Sequence, residues 1–287
     1  MIVKPVNRRR AVGSGRAGHR PRSRRVRLML VWLPACLALV AATAVSASAA
    51  RDASGWGTGT LTGAEVRALV SQMTLAEEVS MIHGGSEAGF CSNTPPVFPV
   101  ISPSVQGCVG QAGFNRGVAR LGIPPLRQTD GPAGVRLSHH DTALPAPVGL
   151  TASFDRDAAG DYGLVIGREG RATNQDVLYA PMINQVSVPT GGRNFETLGE
   201  DPFLAGELVA DEVRAVQGHG LIATLKHYAQ NDFENARMQT SIAIDEQALH
   251  ELELQAFQKG IDAGAGAVMC AYSRVNDVYS CSNDLLL

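Results

Sequence analysis

The chain has 287 residues, of which 45% are apolar and 18% charged, with a formal net charge of −2. Ten of its 25 basic groups and none of its 27 acidic ones fall in the first 50 residues, so the remaining 237 carry 15 basic against 27 acidic groups, a net of −12. An acidic body excludes a nucleic-acid role built on phosphate neutralisation; the apolar content excludes disorder beyond the leader; and the length from Arg51 onward falls just under the roughly 250 residues typical of a complete (β/α)8 barrel.

Residues 8–27 are rich in Arg, Leu28 to Val45 form an apolar run, and Ser46 to Ala50 are all small. This tripartite order predicts a signal peptide over residues 1–50, cleaved after Ala49 or Ala50. An uncleaved anchor is the alternative, disfavoured because the run is only about 18 residues long and contains Pro34, where a spanning helix wants roughly 20. Ser23-Arg24-Arg25 raises twin-arginine export, but in so Arg-rich a leader the Sec route is favoured. The expected location is secreted, periplasmic or cell-envelope, with membrane contact only during export. Cys36 leaves with the leader. Cys91, Cys108, Cys270 and Cys281 remain and allow two disulfides in an exported chain; proximity favours Cys91 with Cys108 and Cys270 with Cys281. No Cys-x-x-Cys spacing occurs, which argues against zinc.

Residues 51–63 are dominated by Gly, Ser and Thr and read as a flexible segment. Thr62 predicts a helix cap for Gly63 to Met73, and Thr74 caps a second helix with Glu77 in the capping-box position. Residues 84–118, rich in Gly, Pro and Ser, predict a long irregular loop. Beyond it, short apolar runs (Leu126 to Thr129, Ala146 to Ala152, Val177 to Ala180, Leu221 to Leu225, Ala267 to Ala271) alternate with helical periodicity over Asp157 to Asn174, Phe203 to Gln217 and Asp245 to Ala263. Alternating strand and helix predicts an α/β fold with a parallel sheet covered by helices. Polar clusters follow several runs directly, at the strand ends where such folds place their chemistry.

In Thr129-Asp130-Gly131-Pro132 the turn residues point a carboxylate out at a strand end, where it suits a pair of vicinal sugar hydroxyls; equally, Asp130 shapes the turn. Only Lys226 and Lys259 survive beyond the leader in a chain that otherwise uses Arg. Lys226, directly after an apolar run, is a donor to hydroxyls together with His227, or else one half of a buried ion pair. Arg193, in Gly191 to Pro202 with Glu196, Glu200 and Asp201, forks onto substrate oxygens or onto those carboxylates. Glu234 and Arg237 have the spacing of a structural salt bridge. His139-His140-Asp141 lacks metal-ligand spacing, and neither a metal nor a cofactor is expected.

The blocks TDGPAGVR, GGRNFETLGEDP, LIATLKHYAQNDFENAR and AVMCAYSRVNDVYSCSNDLLL together resemble, in order, the N-terminal domain of glycoside hydrolase family 3 in its β-glucosidase-like branch. The resemblance covers about Leu61 to Leu287, so 64–287 is taken as the domain. It implies a (β/α)8 TIM-barrel-like fold, incomplete at its C-terminus, and retaining hydrolysis of terminal, non-reducing β-linked sugars from an oligosaccharide or glucoside. By the same resemblance Asp130 binds the outer hydroxyls of the terminal sugar and Arg193, Lys226 and His227 hold its ring hydroxyls. Tyr272 then lies beside the reacting centre, and Met269 forms pocket wall. The family's nucleophile is an Asp in a Ser-Asp-Trp motif, which these residues do not contain, and its general acid usually comes from a further domain. The chain is therefore expected to be a truncated N-terminal part, with negligible turnover on its own. Asp284, at the expected start of a helix, reads as a cap rather than a substitute nucleophile, and the apolar triplet Leu285 to Leu287 as having nothing to pack against. A catalytically silent sugar-binding protein is the alternative, and a Schiff-base lyase using Lys226 a remote one.

Overall fold

The computed structural model describes residues 61–84, 111–137 and 141–287. The leader, the segment 51–60, Cys91, Cys108, His139 and His140 lie outside the described residues.

Helices α1 (Gly63–Val70) and α2 (Leu75–Met81) both open with a reciprocal capping box. Thr62 Oγ1 accepts from Glu65 N while Glu65 accepts from Thr62 N, and Thr74 and Glu77 repeat the arrangement. The first helix stops at Val70, short of the predicted Met73.

The strands are β1 (Gly113–Asn115), β2 (Leu126–Asp130), β3 (Val177–Tyr179), β4 (Ile222–Tyr228), β5 (Ser241–Ile242), β6 (Ala267–Cys270), β7 (Arg274–Val275) and β8 (Val278–Tyr279). A five-stranded sheet runs β1-β2-β3-β4-β6, with β1 antiparallel to β2 and every other pairing parallel. Helices α3 (Pro147–Thr151) and α4 (Arg156–Ala172) lie in the connection from β2 to β3, and α5 (Pro202–Gly218) in that from β3 to β4. Between β4 and β6 lie α6 (Glu246–Ala248), a π-helical segment at Leu249–Glu253, and α7 (Gln255–Asp262). This is the βα alternation of a barrel wall.

Leu178 of β3 and Leu225 of β4 pack against Ile166 of α4, Val213 of α5 and Phe257 of α7 in one buried cluster. Strand side chains alternate, so the neighbours of these core residues point to the opposite, inner face of the sheet. The register places Asp130 beside Tyr179 and Lys226 beside Met269, while Thr129 pairs with Leu178. All four of Asp130, Tyr179, Lys226 and Met269 thus share the inner face.

Asp155 caps α4 and Asp201 caps α5, each accepting two backbone N–H groups. The two helices cross closely at Gly163, where a Cβ would meet the Glu212 carbonyl oxygen at 2.5 Å. Because the obstruction is backbone, Gly163→Ala is expected to force the helices apart and destabilise the chain by about 1–3 kcal/mol, despite alanine's better helix propensity. Chemical denaturation checks this; an unchanged or raised midpoint would rule out the close crossing.

Several expectations are corrected. The run Ala146 to Ala152 forms helix α3 rather than a strand. Pro147 has no N–H to give to a ladder and its fixed φ suits a first helical turn, while Pro147 and Leu150 bury one face and Val148 and Gly149 stay exposed. The predicted loop 84–118 contains β1, a three-residue strand that offers a single buried apolar residue, Phe114, as signal. The helix predicted over Asp245 to Ala263 is interrupted by the π segment. That segment begins at Leu249, in a second small core with Ala229, Val275 and Leu286, and leads on to Ala256 and Phe257, in the main one. Its wider turn shifts the apolar face from one cluster to the other. At the end of the chain, Asn283 rather than Asp284 caps the final turn, its Oδ1 accepting from Leu285 N at 3.0 Å. Leu286 does have something to pack against, in that second core.

The sequence reading contained no counterpart of the small sheet β5-β7-β8. Its β7-β8 hairpin turns through Asn276 and Asp277, both at positive φ (49° and 69°), the conformation that a two-residue primed turn requires and that Asn and Asp tolerate best. Cys270 and Cys281, which flank this hairpin, form a disulfide with a Cα separation of 5.4 Å.

Candidate functional site

Asp130 ends β2, and the backbone then turns through Gly131 and Gly134. The turn is closed by main-chain hydrogen bonds, Gly134 N to Gly131 O and Arg136 N to Asp130 O, with Gly134 at φ 111°. The Asp130 carboxylate is therefore left for other work. Its Oδ1 accepts from Lys226 Nζ at 2.9 Å, and its Oδ2 from Arg136 Nη2 at 2.7 Å. The Lys226 side chain is only 2% exposed and reaches from β4 across β3 on the same inner face of the sheet. Burial pulls its ammonium below the ordinary lysine range, an effect partly offset by Asp130. Of the two readings of Lys226, the buried ion pair is the one observed; Lys226 lies inside β4, which runs on to Tyr228, rather than directly after the strand.

His227 follows on β4 and its backbone is clamped by Asn184, whose side chain donates to His227 O at 2.9 Å and accepts from His227 N at 2.8 Å. Burial, reinforced by the charges of Arg193 and Lys226, pushes the imidazole down to about 3, so it is neutral at physiological pH. Arg193 Nη1 lies 3.4 Å from His227 Nε2. A guanidinium can only donate, so Nε2 is the acceptor and the ring proton sits on Nδ1. That Nδ1 is buried and has no hydrogen-bond partner.

Arg193 grips Glu196 with two bonds, Nη2 to Oε2 at 2.7 Å and Nε to Oε1 at 3.2 Å, and lies 3.6 Å from Glu234. Glu234 in turn accepts from Arg237 and from Asn231. The Arg237 guanidinium stacks 4.4 Å above the ring centre of Tyr272. A continuous chain of contacts thus leads from His227 through Arg193, Glu234 and Arg237 to Tyr272. Met269 is half-buried on β6, level with Lys226. Asp130, Arg193, Lys226 and His227 come together; Tyr272 joins through Arg237, and Met269 through the sheet register. Asp201, counted with the Arg193 segment in the sequence, serves instead as the α5 cap.

The sequence reading missed Asn184, whose partner His227 is 43 residues away, and missed the linking role of Glu234. Ser187 and Asp232 form a further hydrogen bond of 2.9 Å nearby in sequence. Among the described residues no group of three His, Cys, Asp or Glu side chains could hold a metal ion.

A cleft of about 390 Å³ opens over the site, with Asp130, Arg136, Arg193, Phe195 and Glu196 in its walls. Buried polar atoms and charged forks gathered at the C-terminal ends of parallel strands suit a ligand made of hydroxyl groups, which can both accept and donate.

The family model described as glycosyl hydrolase family 3 N terminal domain matches residues 104–287. Among curated proteins, a probable β-glucosidase A of Aspergillus terreus is 36% identical over 233 residues, covering 76% of this chain and 25% of that protein. A probable β-glucosidase F of Aspergillus fumigatus is 39% identical over 226 residues, covering 76% of this chain and 24% of that protein. The chain spans about a quarter of the length of these relatives. Among solved structures, DesR, a β-glucosidase from Streptomyces venezuelae in complex with D-glucose, aligns with a TM-score of 0.67 at 43% identity, over 77% of this chain and 26% of that one. β-Glucosidase 3B from Thermotoga neapolitana in complex with glucose aligns with a TM-score of 0.67 at 32% identity, over 77% and 31%.

Proposed function

Since this chain belongs to glycosyl hydrolase family 3 and carries its N-terminal, TIM-barrel-like domain, we propose that it binds the terminal, non-reducing sugar of a β-glucoside in the cleft beside Asp130, as one part of a retaining β-glucosidase reaction. The observation that carries this reading is the pairing of Lys226 with Asp130 at 2.9 Å on the inner face of the sheet, with Arg193 and His227 alongside. The relatives' names support glucose as the sugar.

In this reading the four side chains hold the sugar ring in place, and hydrogen bonds that tighten as the ring flattens toward an oxocarbenium ion contribute to rate. Asp130 accepts from outer hydroxyls while Lys226 and Arg136 fix its carboxylate in place. His227, neutral and with its Nε2 accepting from Arg193, orients that guanidinium rather than adding a charge. Retaining hydrolysis also needs a carboxylate nucleophile and an acid/base group, roughly 5 to 5.5 Å apart when both are carboxylates. The family's Ser-Asp-Trp nucleophile motif does not occur among these 287 residues, so the chain's own proposed share is binding and positioning.

Calorimetric titration with glucose tests the proposal: saturable one-to-one binding is expected, and a heat signal indistinguishable from dilution at millimolar glucose would sink it. A sugar-binding protein without catalysis predicts the same titration, and no observation on the fold favours it over the glycosidase reading.

A further inference from the structure

Resting on the sugar site proposed above, we infer that Asn184 is a positioning residue for it: its amide fixes the backbone of His227, and with it the directions in which Lys226 and His227 present themselves to the sugar. As far as Lys226, β4 is held on its β3 side by main chain, with Thr224 N donating to Ala180 O at 3.0 Å, Lys226 N to Pro181 O at 3.1 Å and Ile183 N to Lys226 O at 2.9 Å. At the next residue a side chain takes over. Asn184 Oδ1 accepts from His227 N at 2.8 Å, and its Nδ2 donates to His227 O at 2.9 Å. A carboxamide offers the same donor and acceptor as a peptide group, so Asn184 does for His227 what a neighbouring strand does for the residues before it.

The strand needs such a hold at this point. On the other side of β4 the register against β6 slips: Met269 faces Lys226 and Cys270 faces Tyr228, which leaves His227 without a counterpart. An extra residue of this kind bends the strand that carries it. Here the side chains at the slip are two that make the site, Lys226 with its Nζ 2.9 Å from Asp130 and His227 with its Nε2 3.4 Å from Arg193. Both contacts move with the backbone between them. Asn184 itself is fully buried and does not line the cleft, so it acts on the sugar through β4 rather than by touch.

Glucose is titrated calorimetrically into the 287-residue chain and into Asn184→Ala, and the imidazole of His227 is followed in ¹⁵N-histidine-labelled protein, its signals identified by their loss in His227→Gln. In the unaltered chain the ring is expected in the Nδ1-protonated form that Arg193 selects. Asn184→Ala is expected to weaken glucose binding about tenfold or more, the order of one misplaced hydrogen bond to a charged group, and to shift the His227 signals as the ring leaves Arg193. A role confined to stability would lower the unfolding midpoint and leave both readouts unchanged in the folded protein. Affinity within about twofold of the unaltered chain, or lost affinity with the His227 signals in place, therefore overturns the inference and leaves the sugar site standing. Should the alanine variant fail to fold, Asn184→Ser, whose hydroxyl is too short to reach both backbone groups, is read in the same way; failure of both to fold makes Asn184 a structural residue and overturns the inference as well. Absence of glucose binding in the unaltered chain overturns the sugar site and this inference together.

Discussion

Replacing Asp130 with Ala is expected to abolish glucose binding and to destabilise the chain by about 3–5 kcal/mol, the cost of leaving a buried charge without its partner. The ammonium concerned is Lys226, 2% exposed and 2.9 Å from the carboxylate. Arg136, the other partner, is largely exposed and returns to solvent at little cost. Two controls separate binding from stability. Asp130→Asn keeps the shape and one acceptor oxygen but removes the charge, so it should recover part of the stability and little of the binding. The double variant Asp130→Leu, Lys226→Met replaces both charges with apolar bulk; it should approach the stability of the unaltered chain, since matched removal of a buried pair is often neutral, and yet bind no glucose. Urea denaturation and calorimetry read the two effects. Glucose affinity within twofold of the unaltered chain in Asp130→Ala would falsify the placement of the sugar.

Heating experiments across pH form the second test, with the melting temperature expected to fall as pH rises from 5 to 8.5. Glu212 on α5 is buried, one of its oxygens lacks a partner, and burial pushes its carboxyl up to about 8. Burial likewise raises Glu253, to about 8, and Asp232, to about 6, and the charge of Asp232 adds to the shift at Glu253. A folded-state pKa raised above the unfolded value means that the unfolded chain ionises first. The associated stability declines by about 1.4 kcal/mol per pH unit per group between the unfolded and folded values, from 4.5 to about 8 for the two glutamates and from 3.8 to about 6 for Asp232. His227, depressed from 6.5 to about 3, works in the opposite sense up to pH 6.5 and offsets one of these groups there. Glu77, Glu207 and Asp211 are shifted downward by ion-pair hydrogen bonds and act in the opposite sense below pH 4.5, but they lie at the surface, where solvent screens them. Glu212→Gln, which cannot ionise, is expected to raise the melting temperature at pH 8 and to flatten the slope. A melting temperature that holds steady or climbs over this range in the unaltered chain would contradict the buried, neutral state of these carboxyls.

Strands β3, β4 and β6 were legible because strands of a covered parallel sheet read as short, largely apolar runs, and each run ended within a few residues of the observed strand; β2, with Arg127 and Gln128, offered less. The same rule misread Ala146 to Ala152, where one apolar face of a short helix mimics a strand and only Pro147 marks the difference. At the site, Asp130 and Lys226 stood out as charged residues following predicted strand runs; Asp130 does end β2, whereas Lys226 lies inside β4. The bond between them, 96 residues apart, lies beyond any local pattern. Asn184 was illegible for a related reason: an amide between Ile183 and Gln185 carries no sign that it will pair with a distant backbone. The turn at Asn276-Asp277 did carry a signal, since two such residues between β-branched ones commonly mark a hairpin.

The burial of Lys226 also gives the chain a built-in reporter. Lysine is so scarce here that, past residue 50, amine-selective reagents have only two side chains to find. One of them, Lys259, keeps 42% of its side chain in solvent, while Lys226 keeps 2%. Modification at Lys259 therefore marks the native surface, and modification at Lys226 records an opening of the sheet's inner face. The ratio of the two, read by mass spectrometry, follows the integrity of the proposed sugar site without any substrate.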